Sequence, residues 1–332
     1  MPLPLGFAVS GGPNASEVVR LARLAEDLGY TSAWVAEGHG GDQFAVLGAV
    51  ATATERLQLG TAITSVFVRT APTIAMAAAT VDQLSGGRFI LGVGSSHKVQ
   101  VEPEHGVAYS KPITRVRDTV AICRALLRDG RVSYRGETME IENFDLWFQP
   151  LRTDIPIYAA GLFPKMVQVT GEIADGIILT RSSLTTPKTI RDQLVAGAKA
   201  AGRDGSRIKI TSLLPTAVAD TRAEALDRCR PGLAMYAGFF PRYNKLMASY
   251  GFEDECARIA EAWARGDPKT AIAAVSDAMV DATSVAGTAD ECRDKLQAYR
   301  EAGLDEPIIS PFARGPGSAA IFEQAIRACA PR

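Results

Sequence analysis

The chain repeats one local pattern about eight times: a short apolar run, a turn, and an amphipathic stretch with helical spacing. The predicted strands cover residues 5–9, 32–36, 57–63, 89–93, 155–160, 176–179, 208–213 and 307–310. Nearly continuous apolar strands are typical of parallel sheets that helices cover on the outside. The pattern therefore predicts an α/β protein, a closed (β/α)8 TIM barrel.

Two segments fall outside the repeat and predict insertions after strands 4 and 7. Residues 132–148 are polar, with Arg135 and Gly136 at a turn, which indicates a β-hairpin. Residues 223–281 form a long helical region whose aromatic side chains either cover the barrel mouth or pack between helices. A barrel commonly exceeds 250 residues, so we predict a single domain over residues 1–332.

The alternative fold is an open, doubly wound sheet. That fold predicts a glycine-rich dinucleotide fingerprint after the first strand, but residues 10–14 read Ser-Gly-Gly-Pro-Asn and do not match it. The segment 91–97 has the first two glycines of the fingerprint, but His97 stands in place of the third and the segment follows the fourth strand. The barrel is therefore preferred.

Charge, hydropathy and cysteine content limit the partners and the cellular compartment that we expect for this protein. The 36 basic and 37 acidic residues leave a net charge of −1, which lacks the basic surface expected of a protein that binds nucleic acid or anionic membranes. No apolar run approaches the length of a membrane span. The five cysteines are widely spaced and odd in number, as in a reducing cytoplasm. We therefore expect a cytoplasmic protein with a small-molecule partner.

In such a barrel the active site lies at the carboxyl ends of the strands. Glu37 and His39 follow the second strand, and in extended chain their side chains would point the same way, as an acid–base pair requires. Alternatively, His39 caps a loop and Glu37 pairs with a surface arginine. We find no His-x-His, His-Glu-x-x-His, G-x-S-x-G or P-loop motif. No metal site is therefore expected, and a bound cofactor is expected to supply the chemistry.

The loop 159–165 joins small residues to Pro164, a residue suited to the first helical position. Free amides at the start of that helix, with Lys165 nearby, would bind a phosphate. The other interpretation is a plain strand-to-helix turn.

Six ordered segments together resemble the luciferase-like monooxygenase superfamily of flavin enzymes. They are residues 25–44, 51–64, 77–96, 111–127, 155–179 and 286–309. The nearer resemblance is to the deazaflavin branch, which uses coenzyme F-420. This resemblance implies an F-420-dependent oxidoreductase that moves a hydride between the deazaflavin C5 and a small organic substrate.

The resemblance also implies roles for individual residues. His39, with Asp42 beyond it, would lie beside the cofactor ring and orient the substrate or shuttle a proton; His97 is the second candidate. His97 stands where a sugar-phosphate dehydrogenase of the family has a glutamate proton donor. Residues 102–106 form an extra loop that either faces the substrate or is a solvated insertion.

Cofactor contacts follow from the same resemblance. A non-prolyl cis peptide between Ala62 and Ile63 would support the back of the ring and bend it. Ser95 and Ser96 would bind the ring edge, and the segment at Ala160 would hold the phosphate. The full set of expected cofactor contacts is Asp42, Thr61, Ala62, Ile63, Gly94, Ser95, Ser96, Ala160, Gly161, Leu162, Lys165 and Thr180.

The sequence leaves two other functions open. One is an FMN-dependent monooxygenase that uses reduced flavin and oxygen, and the other is a flavin-binding barrel without turnover. The resemblance also implies a homodimer.

Overall fold

The computed structural model describes residues 3–331, so the terminal bounds of the predicted domain lie outside the described residues. Its strands, in chain order, are β1 (Gly6–Val9), β2 (Ser32–Val35), β3 (Gln58–Thr61), β4 (Thr64–Ser65), β5 (Phe89–Gly94), β6 (Arg131–Arg135), β7 (Glu140–Asp145), β8 (Ile157–Ala160), β9 (Gly176–Thr180), β10 (Lys209–Val218), β11 (Val285–Gly287) and β12 (Glu306–Pro311).

Eight parallel strands form the barrel, in the order β1, β2, β3, β5, β8, β9, β10 and β12. The barrel closes because β12 pairs with β1, with Gly6 opposite Ile308. The short β4 pairs with β5, and β11 adds to the outer part of β10. The predicted (β/α)8 barrel is therefore confirmed.

Helices surround the barrel and alternate with its strands. They are α1 (Ala15–Asp27), α2 (Gln43–Ala53), α3 (Ala71–Leu84), α4 (Lys98–His105), α5 (Pro112–Asp129), α6 (Pro164–Ile173), α7 (Thr186–Ala200), α8 (Arg222–Phe239), α9 (Pro241–Ala248), α10 (Glu253–Ala264), α11 (Pro268–Ala273), α12 (Asp277–Thr283), α13 (Ala289–Glu301) and α14 (Ser318–Ala328). The apolar faces of α1–α7, α13 and α14 pack on the outside of the strands and form the main core.

Side chains fill the barrel interior, so it is a packed core rather than a pore. Trp34 is fully buried there and its ring lies 6.0 Å from that of Tyr158. Opposite it, a Cβ on Gly60 would lie 2.2 Å from the Trp34 ring, so only glycine fits beside this indole. Any ligand must therefore bind at an end of the barrel.

Both predicted insertions are present. β6 and β7 pair as an antiparallel hairpin, whose turn is held by the Asp118 carboxylate, which accepts hydrogen bonds from Thr138 and Tyr134. The long helical region after β10 is five separate helices, α8–α12, with an apolar core of their own. Pro241 starts α9 directly after α8, in the first turn of the helix, where the missing proline N–H costs no hydrogen bond.

The five cysteines are buried and free. Within residues 3–331, none of the helices combines the length and the apolar character that crossing a bilayer requires.

Candidate active site

The carboxyl ends of β3, β5, β8 and β9 surround a cavity of about 610 Å³, which we call the mouth cavity. A volume of roughly 300–1,000 Å³ is usual for a site that holds a small molecule or cofactor. The structure brings most of the predicted site residues together here. Those lining it are Ile63, Gly94, Ser95, Ser96, His97, Ala160, Gly161, Leu162, Lys165 and Thr180.

The charged side chains of the mouth cavity are all basic. Lys165, Arg242 and Lys245 line it, and no Asp or Glu does. In the part of the chain that the structure describes, none of these three forms a salt bridge. Lys165 lies in the first turn of α6, whose N-cap residue Phe163 makes no side-chain capping hydrogen bond. A helix N-terminus beside free cations favours an anionic ligand.

The predicted cis peptide between Ala62 and Ile63 is wrong, because every peptide bond in residues 3–331 is trans. Ile63 instead has φ 97°, a left-handed conformation that is rare for a β-branched residue. Its carbonyl accepts hydrogen bonds from the Gln43 side chain (3.1 Å) and the Glu37 amide (3.4 Å). These contacts hold the strained backbone and keep Ile63 in the cavity wall.

Backbone strain concentrates at this end of the barrel. Positive φ at non-glycine residues occurs, within 3–331, at Ile63, Ser96, Lys111 and Arg181. Ile63 and Ser96 line the mouth cavity, and Lys111 precedes Pro112, which also lines it. Because strained residues cluster at functional sites, this distribution supports the placement of the site.

Two predicted cofactor contacts lie outside the cavity lining. Thr61 is fully buried, and its hydroxyl joins β3 to β5 by donating to the Gly92 carbonyl (2.8 Å) and accepting from the Gly92 amide (2.7 Å). Ala62 is buried in the barrel interior. Both residues therefore support the floor of the site rather than facing a ligand.

His97 faces the mouth cavity from the end of β5. Its ring packs against Phe240, at 4.7 Å between centroids, and against Tyr243, at 5.0 Å. Burial, and then the positive charges of Arg242 and Arg181, lower the pKa of His97 to about 4. At neutral pH the imidazole is therefore uncharged and can accept a proton.

His39 and Glu37 do not form the predicted pair. Residues 37–41 form a bend rather than extended chain, so the two side chains have different surroundings. Glu37 accepts hydrogen bonds from the Ser65 amide (2.7 Å) and from Arg69. The exposed His39 hydrogen-bonds the carboxylate of Glu104 (3.1 Å). The interpretation of Glu37 as the partner of an arginine is the one that the structure shows.

Asp42 also binds Arg69, and its carboxylate caps α2 by accepting from the Ala45 amide (2.9 Å). Asp42, Glu37 and His39 line neither this cavity nor the one described next. The predicted loop 102–106 is instead the end of α4, closed by Gly106 at φ 65°.

Arg181, which directly follows β9, is a site residue to which the sequence analysis assigned no role. It is only 6% exposed, and its guanidinium carbon lies 3.2 Å from the centroid of the Tyr236 ring. It lines a second cavity of about 500 Å³, which we call the arginine cavity, at the ends of β9, β10 and β12. Thr180 lines both cavities, so they adjoin.

Arg242 and Lys245 were also missed, because they lie on α9 in the insertion, far along the chain from the strands they face. Of the aromatic residues predicted to cover the mouth or pack between helices, Tyr243 lines the mouth cavity and Tyr236 lines the arginine cavity. Phe240 packs on His97, and Phe239 packs on Phe240.

A closed (β/α)8 barrel with a basic, strained cavity at its carboxyl face is the architecture of a barrel enzyme. The chain matches the model of the luciferase-like monooxygenase family over residues 4–306 and belongs to that family. The predicted family, and with it the prediction of an enzyme, is confirmed.

Two relatives and one solved structure are informative. The chain is 26% identical over 303 residues to the 5,10-methylenetetrahydromethanopterin reductase of Methanolobus tindarius, covering 90% of this chain and 91% of the relative. It is 28% identical over 301 residues to the F420-dependent glucose-6-phosphate dehydrogenase of Kineococcus radiotolerans, covering 85% and 89%. The structure of the coenzyme F420-dependent tetrahydromethanopterin reductase of Methanopyrus kandleri has a TM-score of 0.85 at 24% identity, covers 99% and 97% of the two chains, and shares the fold.

Proposed function

We propose that this chain is an F-420-dependent oxidoreductase that transfers a hydride between the deazaflavin and a small organic substrate. One observation carries the proposal: residues from four separate strand ends, expected from the resemblance to contact the cofactor, line one cavity. Two relatives of similar length support the choice of cofactor, since the names of the Kineococcus and Methanopyrus proteins include F420.

The residues of the mouth cavity fit a phosphate-bearing deazaflavin. Lys165, Arg242 and Lys245 supply positive charge with no carboxylate in the lining. Gly161 is buried beside the N-terminus of α6. Ser95 offers a hydroxyl at the strand end. The basic side chains and the N-terminus of α6 suit an anionic phosphate, and the Ser95 hydroxyl suits a polar edge of a flat ring.

We assign distinct tasks to the residues around the ring. A deazaflavin, when bound, supplies a hydride-exchanging carbon, C5. Ile63 presents an apolar side chain as a backing surface, and Ser95 and Ser96 bind polar atoms at the ring edge. The α6 amides and Lys165 hold the phosphate. The aromatic cover from α8 and α9 limits access of water to the site.

We assign the proton transfer to a ring nitrogen of His97 rather than to His39. His97 lies in the cavity wall and is neutral at pH 7, because burial lowers its pKa to about 4. A neutral imidazole can take the proton that a substrate alcohol or amine releases as it loses hydride. His39 is exposed and bound to Glu104.

Titration of the purified protein with F-420 and, separately, with FMN tests this function. We expect saturable binding of F-420, followed by quenching of its fluorescence, and weaker binding of FMN. Lys165→Gln should weaken F-420 binding about tenfold, because a charge contact to the phosphate is lost. Lys199→Gln, an exposed position on α7, is the matched control.

Tight binding of FMN without binding of F-420 would contradict the proposal and favour the flavin monooxygenase. Binding of F-420 without reduction of the cofactor by any compound in a broad screen of alcohols, aldehydes, amines and acids would favour the non-catalytic barrel.

A further inference from the structure

We propose that the arginine cavity binds the carboxylate of a small organic acid, with Arg181 as its principal anchor. This inference rests on the proposed function in one respect: the acid would be the substrate beside the cofactor. Binding of an acid in the cavity does not itself require the cofactor.

The first argument is the state of Arg181. Arg181 is only 6% exposed, yet its guanidinium forms no salt bridge with any acidic residue within 3–331. Its Nη1 donates to the Thr180 hydroxyl (3.2 Å), and its buried Nε has no hydrogen-bond partner. A buried charge is costly unless a counter-charge and hydrogen bonds compensate it. The stacked Tyr236 ring compensates only in part.

The second argument is the charge of the cavity wall. Arg181, Arg228 and Arg314 line the cavity, and no Asp or Glu does. Arg228 is neutralised by Glu224, which its guanidinium contacts at 2.7 Å. Arg314 lies at the exposed rim, where its guanidinium stacks on Phe312 (5.2 Å). A ligand with one negative charge is therefore drawn past Arg314 towards the buried Arg181.

The third argument favours a carboxylate over a phosphate ester. Leu213, Pro215, Leu233 and Phe312 make much of the wall apolar. One deeply buried guanidinium balances a single negative charge, and its planar donors match the two oxygens of a carboxylate. A phosphate with a charge near −2 would need further buried donors.

The fourth argument is the position of the cavity. Thr180 lines both the arginine cavity and the mouth cavity, and Arg181 is the next residue. Arg181 has φ 53°, a strained backbone conformation, at the point where the chain passes between the two cavities. An acid held by Arg181 would therefore lie next to the proposed cofactor site.

The test uses the full-length protein without cofactor and three probes of equal chain length: hexanoate, hexanamide and hexyl phosphate. Calorimetry gives each Kd, and thermal unfolding gives the shift in Tm that binding produces. We expect hexanoate to bind and to raise Tm, and hexanamide and hexyl phosphate to bind at least about tenfold more weakly. Binding of hexanoate should weaken as salt concentration rises.

Substitutions then locate the anchor. Arg181→Gln should weaken hexanoate binding about tenfold or more and leave hexanamide binding unchanged. Arg181→Lys keeps the charge without the planar fork and should give an intermediate Kd. Arg327→Gln, at an exposed arginine of α14 that pairs with Glu323 and lines neither cavity, is the control and should have little effect. Circular dichroism checks that each variant is folded.

The proposal is overturned if hexanoate does not bind the wild-type protein, if Arg181→Gln or Arg181→Lys binds hexanoate as wild type does, or if hexyl phosphate binds more tightly than hexanoate. Failure of F-420 to bind, together with Arg181-dependent binding of hexanoate, would reject the proposed function and leave this site standing.

Discussion

At the scale of single residues, the environment of a histidine decides what it can do. His39 and His97 both follow strand ends, and the sequence does not rank them by surroundings. In the structure, His97 is packed against Phe240 and Tyr243 in the cavity wall, whereas His39 is exposed. Only the first is placed to exchange a proton with a ligand in the mouth cavity.

His97→Phe should lower turnover by about 100-fold or more, because a general acid–base group is lost while the aromatic packing is kept. F-420 affinity should change little. His39→Asn is the matched control and should leave turnover near the wild-type value. Steady-state kinetics with F-420 and the substrate found by screening measure the turnover of both variants. Equal losses in the two variants would contradict the assignment of the proton transfer to His97.

The pH profile gives a second readout for His97. Because burial lowers its pKa to about 4, the neutral, proton-accepting form persists down to that pH. Turnover in the oxidising direction should therefore show no step near pH 6.5, the usual pKa of histidine, and should fall only as pH approaches 4. An inflection near 6.5 that disappears in His97→Phe would show that the imidazole is solvated during turnover.

At the scale of one element, two glycines of β5 have different structural roles. A Cβ on Gly92 would lie 1.9 Å from the Thr61 carbonyl oxygen, which is backbone and cannot move aside. A Cβ on Gly94 would lie 2.8 Å from the end of the Ile63 side chain, which can rotate away. The first glycine is needed for strand packing, and the second keeps space at the mouth of the barrel.

Gly92→Ala should therefore destabilise the fold by about 3 kcal/mol or more, and Gly94→Ala by only about 1 kcal/mol. Gly94→Ala should instead weaken F-420 binding, because Ile63 is displaced within the cavity wall. Chemical unfolding and cofactor titration measure the two effects. The interpretation of β5 is wrong if Gly94→Ala unfolds the protein as readily as Gly92→Ala does.

At the scale of the whole molecule, closure of the barrel buries a carboxyl group at the end opposite the site. Glu306 begins β12, is 9% exposed, and accepts hydrogen bonds from the hydroxyls of Thr31 (2.5 Å) and Ser32 (2.9 Å). Burial raises the pKa of Glu306, although these hydrogen bonds and the charges of Arg300 and Lys209 act in the opposite direction.

The folded protein therefore binds this proton more tightly than the unfolded chain does. The stabilising contribution of Glu306 is complete below its unfolded pKa, near 4.5, and is lost as pH rises through the higher folded pKa. Glu306→Gln keeps the acceptor oxygen and removes the charge. Its free energy of unfolding relative to wild type should rise with pH over this interval.

Unfolding in urea at pH 4, 5, 6 and 7 measures this difference. Glu301→Gln, at an exposed position of α13, controls for the loss of one negative charge. A constant difference between Glu306→Gln and wild type across this range would contradict the prediction.

The barrel could be predicted from the sequence because its evidence is local. Each unit carries its own apolar strand and amphipathic helix, and eight such units in succession specify a closed parallel sheet. The same order identifies the residues that follow each strand, and Ser95, Gly161 and Thr180, which the resemblance assigned to the cofactor, line the mouth cavity.

Contacts between distant segments decided the rest. Long-range hydrogen bonds hold Ile63 in a trans, left-handed conformation, and α9 brings Arg242 to a cavity formed by strands far away in the chain. Arg181 is buried without an acidic partner because helices that lie dozens of residues later in the chain pack over it. Periodicity reports which face of an element is apolar, whereas the charge and solvation of a side chain depend on everything that packs around it, and only the folded chain defines that.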